Sequence, residues 1–319
     1  MRHILSDFKK RVTGWFAHLP EGLQSALASA LIVLKFVVPF YILSDVLLYF
    51  DLLRPIGRVL APLTGLLDLP LEAAPALAAG MLLNVYTAIA FAAPLELSGH
   101  QWTILGVFIG ICHSLPVENA IMARLGIASL YSIALRFLGG LLAVLPLTLL
   151  PASLTGGGEA ASETGSKAQE LATSQFDSFT AMLFSSAAKA LILSAQVIVL
   201  VCVLILVMDW VKSLPAIKKH IEQTNTAFSI IIGQTLGITY GAGILLREAG
   251  RGSLSRRDIF FIGTFLMISH SSIEDVLLFA LFGANFWIIL LLRLAAASIF
   301  SLALLRLFRG PALDAVMRR

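Results

Sequence analysis

The chain is 319 residues long, 58% hydrophobic and 13% charged, with a mean hydropathy of +0.90. A soluble globular domain carries ~25% charged residues, and a protein of this size with half that proportion cannot cover itself with a water-facing surface. The composition therefore excludes a soluble enzyme, a disordered chain and a fibrous repeat. The net charge of +4 does not signal nucleic acid. The basic residues sit between apolar segments, where membrane topology accounts for them. Cys112 and Cys202 both lie inside apolar stretches and imply no disulfide framework.

Residues 1–24 place Lys9, Lys10 and Arg11 among Phe8, Trp15 and Phe16, the pattern of an amphipathic helix on a membrane surface. No small-residue cleavage site closes the apolar run that follows, so a signal peptide is not expected. Apolar stretches long enough to span ~30 Å of hydrocarbon occur at 25–50, 102–126, 128–150, 186–209, 259–283 and 286–308. Two more stretches, 71–95 and 227–246, are long enough but broken. The first contains Pro75, Gly80, Asn84 and Pro94; the second contains Gly233, Gly237, Gly241 and Gly243. Lys212, Lys218 and Lys219 precede the second, and Arg247, Arg251, Arg256 and Arg257 follow it. Both of its flanks thus prefer the cytoplasm, and a segment that enters and leaves on one side is a re-entrant hairpin. Treating 71–95 alike predicts six crossings and two hairpins in a bacterial inner membrane, with both termini cytoplasmic. The polar linker 151–185 then falls outside, and the basic tail 309–319 inside. Arg54 and Arg58 fall outside and do not fit the rule.

A shift of 157 residues aligns 106–136 with 263–293 without a gap. Gly106, Phe108, Ile111, His113, Ser114, Ala123, Gly126, Leu135 and Arg136 match Gly263, Phe265, Ile268, His270, Ser271, Ala280, Gly283, Leu292 and Arg293, and Glu118 faces Asp275. Histidine and arginine are rare in membrane segments, so their coincidence at one offset is informative. The hairpins align less well, with Tyr86 falling on Tyr240 only at an offset of 154. Each half reads as crossing, hairpin, crossing, crossing. Three crossings per half is odd, so the second half, 186–308, must be inverted relative to the first, 25–150. The expected fold is an all-α integral membrane protein of two inverted-topology repeats, each with three crossings and one re-entrant helical hairpin. Such repeats, with interrupted helices and a midplane site, characterise secondary transporters.

His113, Ser114, His270 and Ser271 either line a substrate or ion path or tie two interrupted helices together. Glu118 shares a face with His113 only if the helix breaks between them, as Pro116 permits. Glu118, Glu274 and Asp275 serve either cation coupling or neutralisation of Arg136 and Arg293. The arginines are either consumed by those acids or bind an anion. Cys112 beside His113, with His270, suggests a soft-metal site, against the plainer reading of a cysteine as core filler. Asn84, Tyr86, Gln234, Thr239 and Tyr240 are placed to meet a ligand from the hairpin tips. Lys35 and Asp45 suggest no site. No Walker loop, zincin helix or nucleophile elbow is present, so no enzyme activity is expected.

The run Gly110-Ile-Cys112-His113-Ser114-Leu-Pro116-Val-Glu118-Asn-Ala120-Ile121-Met122-Ala123-Arg124 resembles the Gate, or nucleoside-recognition, domain of concentrative nucleoside transporters, spore maturation proteins and the membrane part of the bacterial ferrous iron permease. Gly110, Cys112, Pro116, Ala120, Ile121, Met122, Ala123 and Arg124 echo the permease pattern with looser spacing. The resemblance implies two Gate repeats over 25–150 and 186–308. The function expected is secondary transport of a small solute through a His/acid/Arg site. No cofactor is expected beyond a coupling ion, H+ or Na+, or a divalent metal. A divalent-metal permease and a non-transporting membrane scaffold are the alternatives. The partners expected are the lipid bilayer and the solute, with no nucleic acid; a homo-oligomer is left open.

Overall fold

The computed structural model describes residues 21–95, 97–151, 155, 178–213, 245–246 and 254–317. Most of the expected surface helix, most of the linker and nearly all of the glycine-rich hairpin, with Gln234, Thr239 and Tyr240, lie outside these residues. Among the described residues no strand forms beyond an isolated antiparallel bridge between Ile127 and Met317. The protein is an all-α integral membrane protein. Helical stretches long and apolar enough to cross a bilayer are Ala26–Tyr49, Gly99–Arg124, Ser129–Thr148, Phe179–Val207, Arg256–Ala280 and Phe286–Leu307. Five agree with the expected crossings to within about three residues, as a ~30 Å core and a rise of ~1.5 Å per residue require. The other starts at Phe179, inside the stretch expected to be linker, because 179–185 is apolar enough to extend the helix.

In chain order the helices are α1 (Glu21–Tyr49), α2 (Leu53–Gly57), α3 (Ala61–Leu66), α4 (Ala74–Leu82), α5 (Val85–Ala92), α6 (Gly99–Cys112), α7 (Leu115–Arg124), α8 (Ser129–Thr148), α9 (Phe179–Ser213), α10 (Arg256–Ser269), α11 (Ser272–Ala280), α12 (Phe286–Leu307) and α13 (Pro311–Val316). Two crossings are interrupted, Gly99–Arg124 between α6 and α7 and Arg256–Ala280 between α10 and α11. These two form the centre of the bundle. In their most apolar windows 61% and 67% of residues are buried, against 22–39% in the other four crossings. The outer helices α1 and α9 pack along one another and keep one face for lipid.

The interrupted crossings repeat one another residue by residue. Ser98 caps α6 in a reciprocal box with Gln101, and Ser255 caps α10 in the same box with Asp258. Both helices end in an extended residue, His113 and His270 (φ −68° in each), followed by a left-handed one, Ser114 and Ser271 (φ 50° in each). Gly126 and Gly283 then turn the chain at φ 84° and 92°, a conformation that favours glycine. Expectation had placed the cause of the break at Pro116. The second half breaks identically with Ile273 at the corresponding position, so the His-Ser step is the interruption and Pro116 merely starts α7.

Contacts at the two ends show how these crossings run. Near the start of α6, Thr103 Oγ1 accepts from Asn285 N at 2.8 Å, and the Trp102 ring stacks on Phe282 just beyond α11. Beyond α7, Ile127 bridges to Met317, whose carbonyl accepts from Arg256 Nη2 at 2.9 Å, and Arg256 opens α10. The two interrupted crossings are therefore antiparallel.

The stretch expected as the first hairpin, 71–95, is preceded by α2 and α3, which meet the helix from Leu71 to Leu82 at 104°; the chain then breaks at Leu83–Asn84 and continues as α5. Asn84 caps α5, its Oδ1 accepting from Thr87 N at 2.9 Å. Arg54 and Arg58, the topological misfits, lie in that preceding segment, where Arg54 Nε donates to Glu72 Oε1 at 2.8 Å. The Leu83–Asn84 turn docks on the α6–α7 break. Ser114 N donates to Gly80 O at 3.0 Å, and Ser114 Oγ to Leu83 O at 2.8 Å. Those two bonds hold a serine in a backbone region that costs L-residues ~1–2 kcal/mol.

The matched capping boxes predict matched energies. Ser98→Ala and Ser255→Ala should each destabilise the protein by about 1 kcal/mol, and the double variant by about the sum, since the two caps share no partner. Thermal unfolding in detergent checks this; a double variant no worse than one single would show that the caps are not independent.

Candidate functional site: a buried histidine–carboxylate centre

The interruption determines the chemistry at the centre. A helix that stops at Cys112 leaves its last carbonyls without intrahelical donors, and two arginines take them up. Arg136 Nε donates to Ile111 O at 2.7 Å, and Arg293 Nε to Ile268 O at 3.2 Å. Arg293 Nη2 also donates to His270 O at 2.6 Å and, across to the other half, to Gly110 O at 2.7 Å. Gly110 makes room for that crossing: a Cβ there would sit 2.8 Å from Arg293 Nη1. Positive charge at a helix C-terminus and negative charge at the next N-terminus both suit the helix dipoles. Glu118 lies in the first turn of α7, and Glu274 and Asp275 in that of α11. Glu118 Oε2 pairs with Arg136 Nη1, and Asp275 Oδ2 with Arg293 Nη1 at 3.1 Å. Four charged side chains are thus buried in two ion pairs, a tolerable arrangement only because each is paired and hydrogen-bonded.

The histidines meet between these pairs. His113 Nε2 and His270 Nε2 are 3.4 Å apart, and each lies 3.0 Å from Glu118 Oε1. Both rings are buried, 7% and 1% exposed. Each ring's other nitrogen is committed: His113 Nδ1 donates to Ile109 O at 3.0 Å, and His270 Nδ1 to Leu266 O at 2.9 Å. A carbonyl only accepts, so in a neutral ring the proton is on Nδ1 and Nε2 carries a lone pair. Glu118 Oε1 is an acceptor as well. Three acceptor atoms therefore face one another with no donor among them, and a cation is what that arrangement lacks.

The charge balance points the same way. Tyr86 OH, on α5, donates to Glu274 Oε1 at 2.6 Å, and Glu274 and Asp275 are both in electrostatic reach of His113. With all three ionised, the carboxyl groups of Glu118, Glu274 and Asp275 exceed the two guanidiniums of Arg136 and Arg293 by one negative charge. An anion site at the arginines is not supported, because both guanidiniums already face carboxylates.

The structure thus brings His113, His270, Glu118, Glu274, Asp275, Arg136, Arg293 and Tyr86 into one centre. Ser114 and Ser271 set the backbone there, and Ser114 spends its hydroxyl on Leu83 O. Asn84 spends its Oδ1 on capping α5. Cys112 is a correction: its Sγ donates to Arg136 O at 3.0 Å and packs toward Gly140, away from the histidine nitrogens. Among the described residues the metal-ligating atoms within 4.8 Å of one another are those of His113, Glu118 and His270, so a carboxylate stands where a thiolate was expected. A second buried polar group was not foreseen. Ser186 Oγ on α9 donates to Asp45 Oδ2 on α1 at 2.5 Å, with Lys189 in electrostatic reach of that carboxylate. Its sign in the sequence was a lone acid and a lone base in the middle of two apolar segments.

Removing Arg293 while keeping Asp275 strands a buried carboxylate. Arg293→Leu should lose about 3–5 kcal/mol, and Arg293→Leu with Asp275→Leu should recover most of it. Thermal unfolding of both variants decides; equal losses would mean that the arginine's three bonds to backbone carbonyls, not the ion pair, carry the stability.

No protein-family model matches the chain, and no solved structure matches it. The chain is 28% identical over 294 residues to an uncharacterized membrane protein, YvoD, of Bacillus subtilis (strain 168), covering 89% of this chain and 92% of that relative. Near full-length similarity to a bacterial membrane protein agrees with the apolar helices: the chain is a multi-pass helical membrane protein.

Proposed function

We propose that this protein is a Gate-type secondary transporter of a small solute, built from two inverted repeats, with a central site that takes a cation. The observation that carries the reading is the convergence of His113 Nε2, His270 Nε2 and Glu118 Oε1 at the junction of two interrupted helices. Broken helices meeting at mid-membrane are how secondary transporters expose backbone and side-chain ligands to a substrate. The antiparallel course of Gly99–Arg124 and Arg256–Ala280, with their shared caps and breaks, supports the inverted repeat. His113 and His270 each lie near the middle of their crossing, which supports a site near the bilayer midplane. The segment 53–92, whose Leu83–Asn84 turn docks on the break, supports a re-entrant element.

Arg124, Arg256, Arg257, Arg306 and Arg309 cluster at the end of the bundle marked by the Ile127–Met317 bridge. Under the positive-inside rule that end is cytoplasmic, with the C-terminus beside it, in a bacterial inner membrane.

The test is flux into proteoliposomes from a panel of protons, sodium, divalent metals, nucleosides and small organic ions. The wild type is compared with His113→Ala/His270→Ala. A transporter should keep its melting temperature within a few degrees and lose flux at least tenfold in the double variant. A wild type that moves nothing, combined with a large loss of stability in the variant, would replace this reading with a scaffold whose polar core locks the halves together.

A further inference from the structure

Resting on the reading of the centre as a cation site, the geometry points to a divalent transition-metal ion as its occupant. Among the described residues its protein ligands are His113 Nε2, His270 Nε2 and Glu118 Oε1, and tetrahedral coordination calls for a fourth donor. Spacing is the first argument. Tetrahedral coordination with bonds of ~2.0–2.1 Å places ligand atoms ~3.3 Å apart, and here the three separations are 3.4, 3.0 and 3.0 Å. An ion ~2 Å from all three atoms would sit just off their plane, and the ligands would need to move by only a few tenths of an ångström. While the rings are neutral none of the three atoms offers the others a proton, so the spacing is then that of three ligand atoms around one shared ion.

Orientation is the second argument. Metal-binding histidines hold their other ring nitrogen to a carbonyl or carboxylate, which fixes the tautomer and aims the free lone pair. Both rings do so here, to Ile109 O and Leu266 O. The ligating carboxylate is likewise anchored, through its second oxygen to Arg136. The third argument is donor type. Two imidazoles and one carboxylate suit zinc, iron, cobalt, nickel or manganese, whereas calcium and magnesium require a shell of oxygens. Glu274, held by Tyr86, is a further carboxyl group beside the site and when ionised offsets part of the ion's charge. Three such ligands hold a transition-metal ion well enough to select it.

The test uses full-length protein in detergent, stripped of metal with chelator and titrated with Zn2+, Co2+ and Mg2+ by calorimetry, with the Co2+ visible spectrum as a geometric readout. One Zn2+ or Co2+ per chain is expected, with no heat from Mg2+ and an intense tetrahedral-type Co2+ spectrum. His113→Gln and His270→Gln should each weaken Zn2+ binding by at least about 100-fold, since loss of even an outer-shell partner weakens it ~10–100-fold. Thermal unfolding of each metal-free variant guards against misfolding as the cause: each should melt within a few degrees of the metal-free wild type. Absence of stoichiometric binding, or binding unchanged in His270→Gln, overturns the assignment. Proteoliposome flux is read separately. Flux of another cation without metal binding overturns the metal and leaves the transporter; metal bound but never moved supports the metal and overturns transport.

Discussion

Three acceptor atoms, two imidazole nitrogens and a carboxylate oxygen, are held within 3.4 Å of one another in the middle of an apolar bundle, and the rest of the centre serves to keep them there. Lone pairs at such range repel unless a cation lies between them, and in a low-dielectric interior that repulsion is barely screened. The protein opposes it with covalent and hydrogen-bonded restraint. Each histidine is the last residue of a helix and is tied by Nδ1 to its own final turn. The glutamate is pinned by Arg136, itself anchored to a carbonyl that the helix break set free.

That dependence explains why the two crossings are interrupted. A continuous helix would put His113 and Glu118 on different faces, since residues five apart are ~500° around the axis. The extended histidine and left-handed serine restart the helix in a new phase, so that the first turn of α7 faces the last turn of α6. The break also creates a paired electrostatic opportunity, a negative C-terminus beside a positive N-terminus. Arginine fills the first and an acid occupies the second. Because both halves do this with the same residues at the same spacing, the centre has near twofold character. It is not symmetric in detail: Glu118 reaches both histidines, whereas its counterpart Asp275, one methylene shorter, is consumed by Arg293. One side therefore supplies the carboxylate ligand and the other the structural pair.

The outer parts of the fold serve this centre at a distance. The Leu83–Asn84 turn satisfies the backbone of Ser114 and delivers Tyr86 to Glu274, coupling a first-half helix to second-half acid chemistry. Arg293 donates to Gly110 O across the halves, so the two interruptions cannot separate without leaving that guanidinium short of an acceptor. Any rocking of one half against the other, as alternating access requires, must exchange these bonds for others and would be felt at the histidines first.

The amino-acid sequence by itself determined the solvent, the long apolar helices and the offset at which the His-Ser breaks and the two arginines recur, because these rest on hydrophobic length and on the rarity of histidine and arginine in lipid. It also contained a sign that was easy to pass over, the Ser-x-x-Gln and Ser-x-x-Asp boxes at 98 and 255 that date each central helix to its first residue. What only the tertiary structure decided was which candidate faces which. Cys112 and His113 are neighbours in the chain, yet a helical step of ~100° sends one toward Gly140 and the other toward His270. Glu118 and His270 are 152 residues apart, and only the antiparallel packing of two broken helices puts their atoms in contact. Local spacing can nominate ligands; the convergence of three lone pairs on one point is a property of the folded pair.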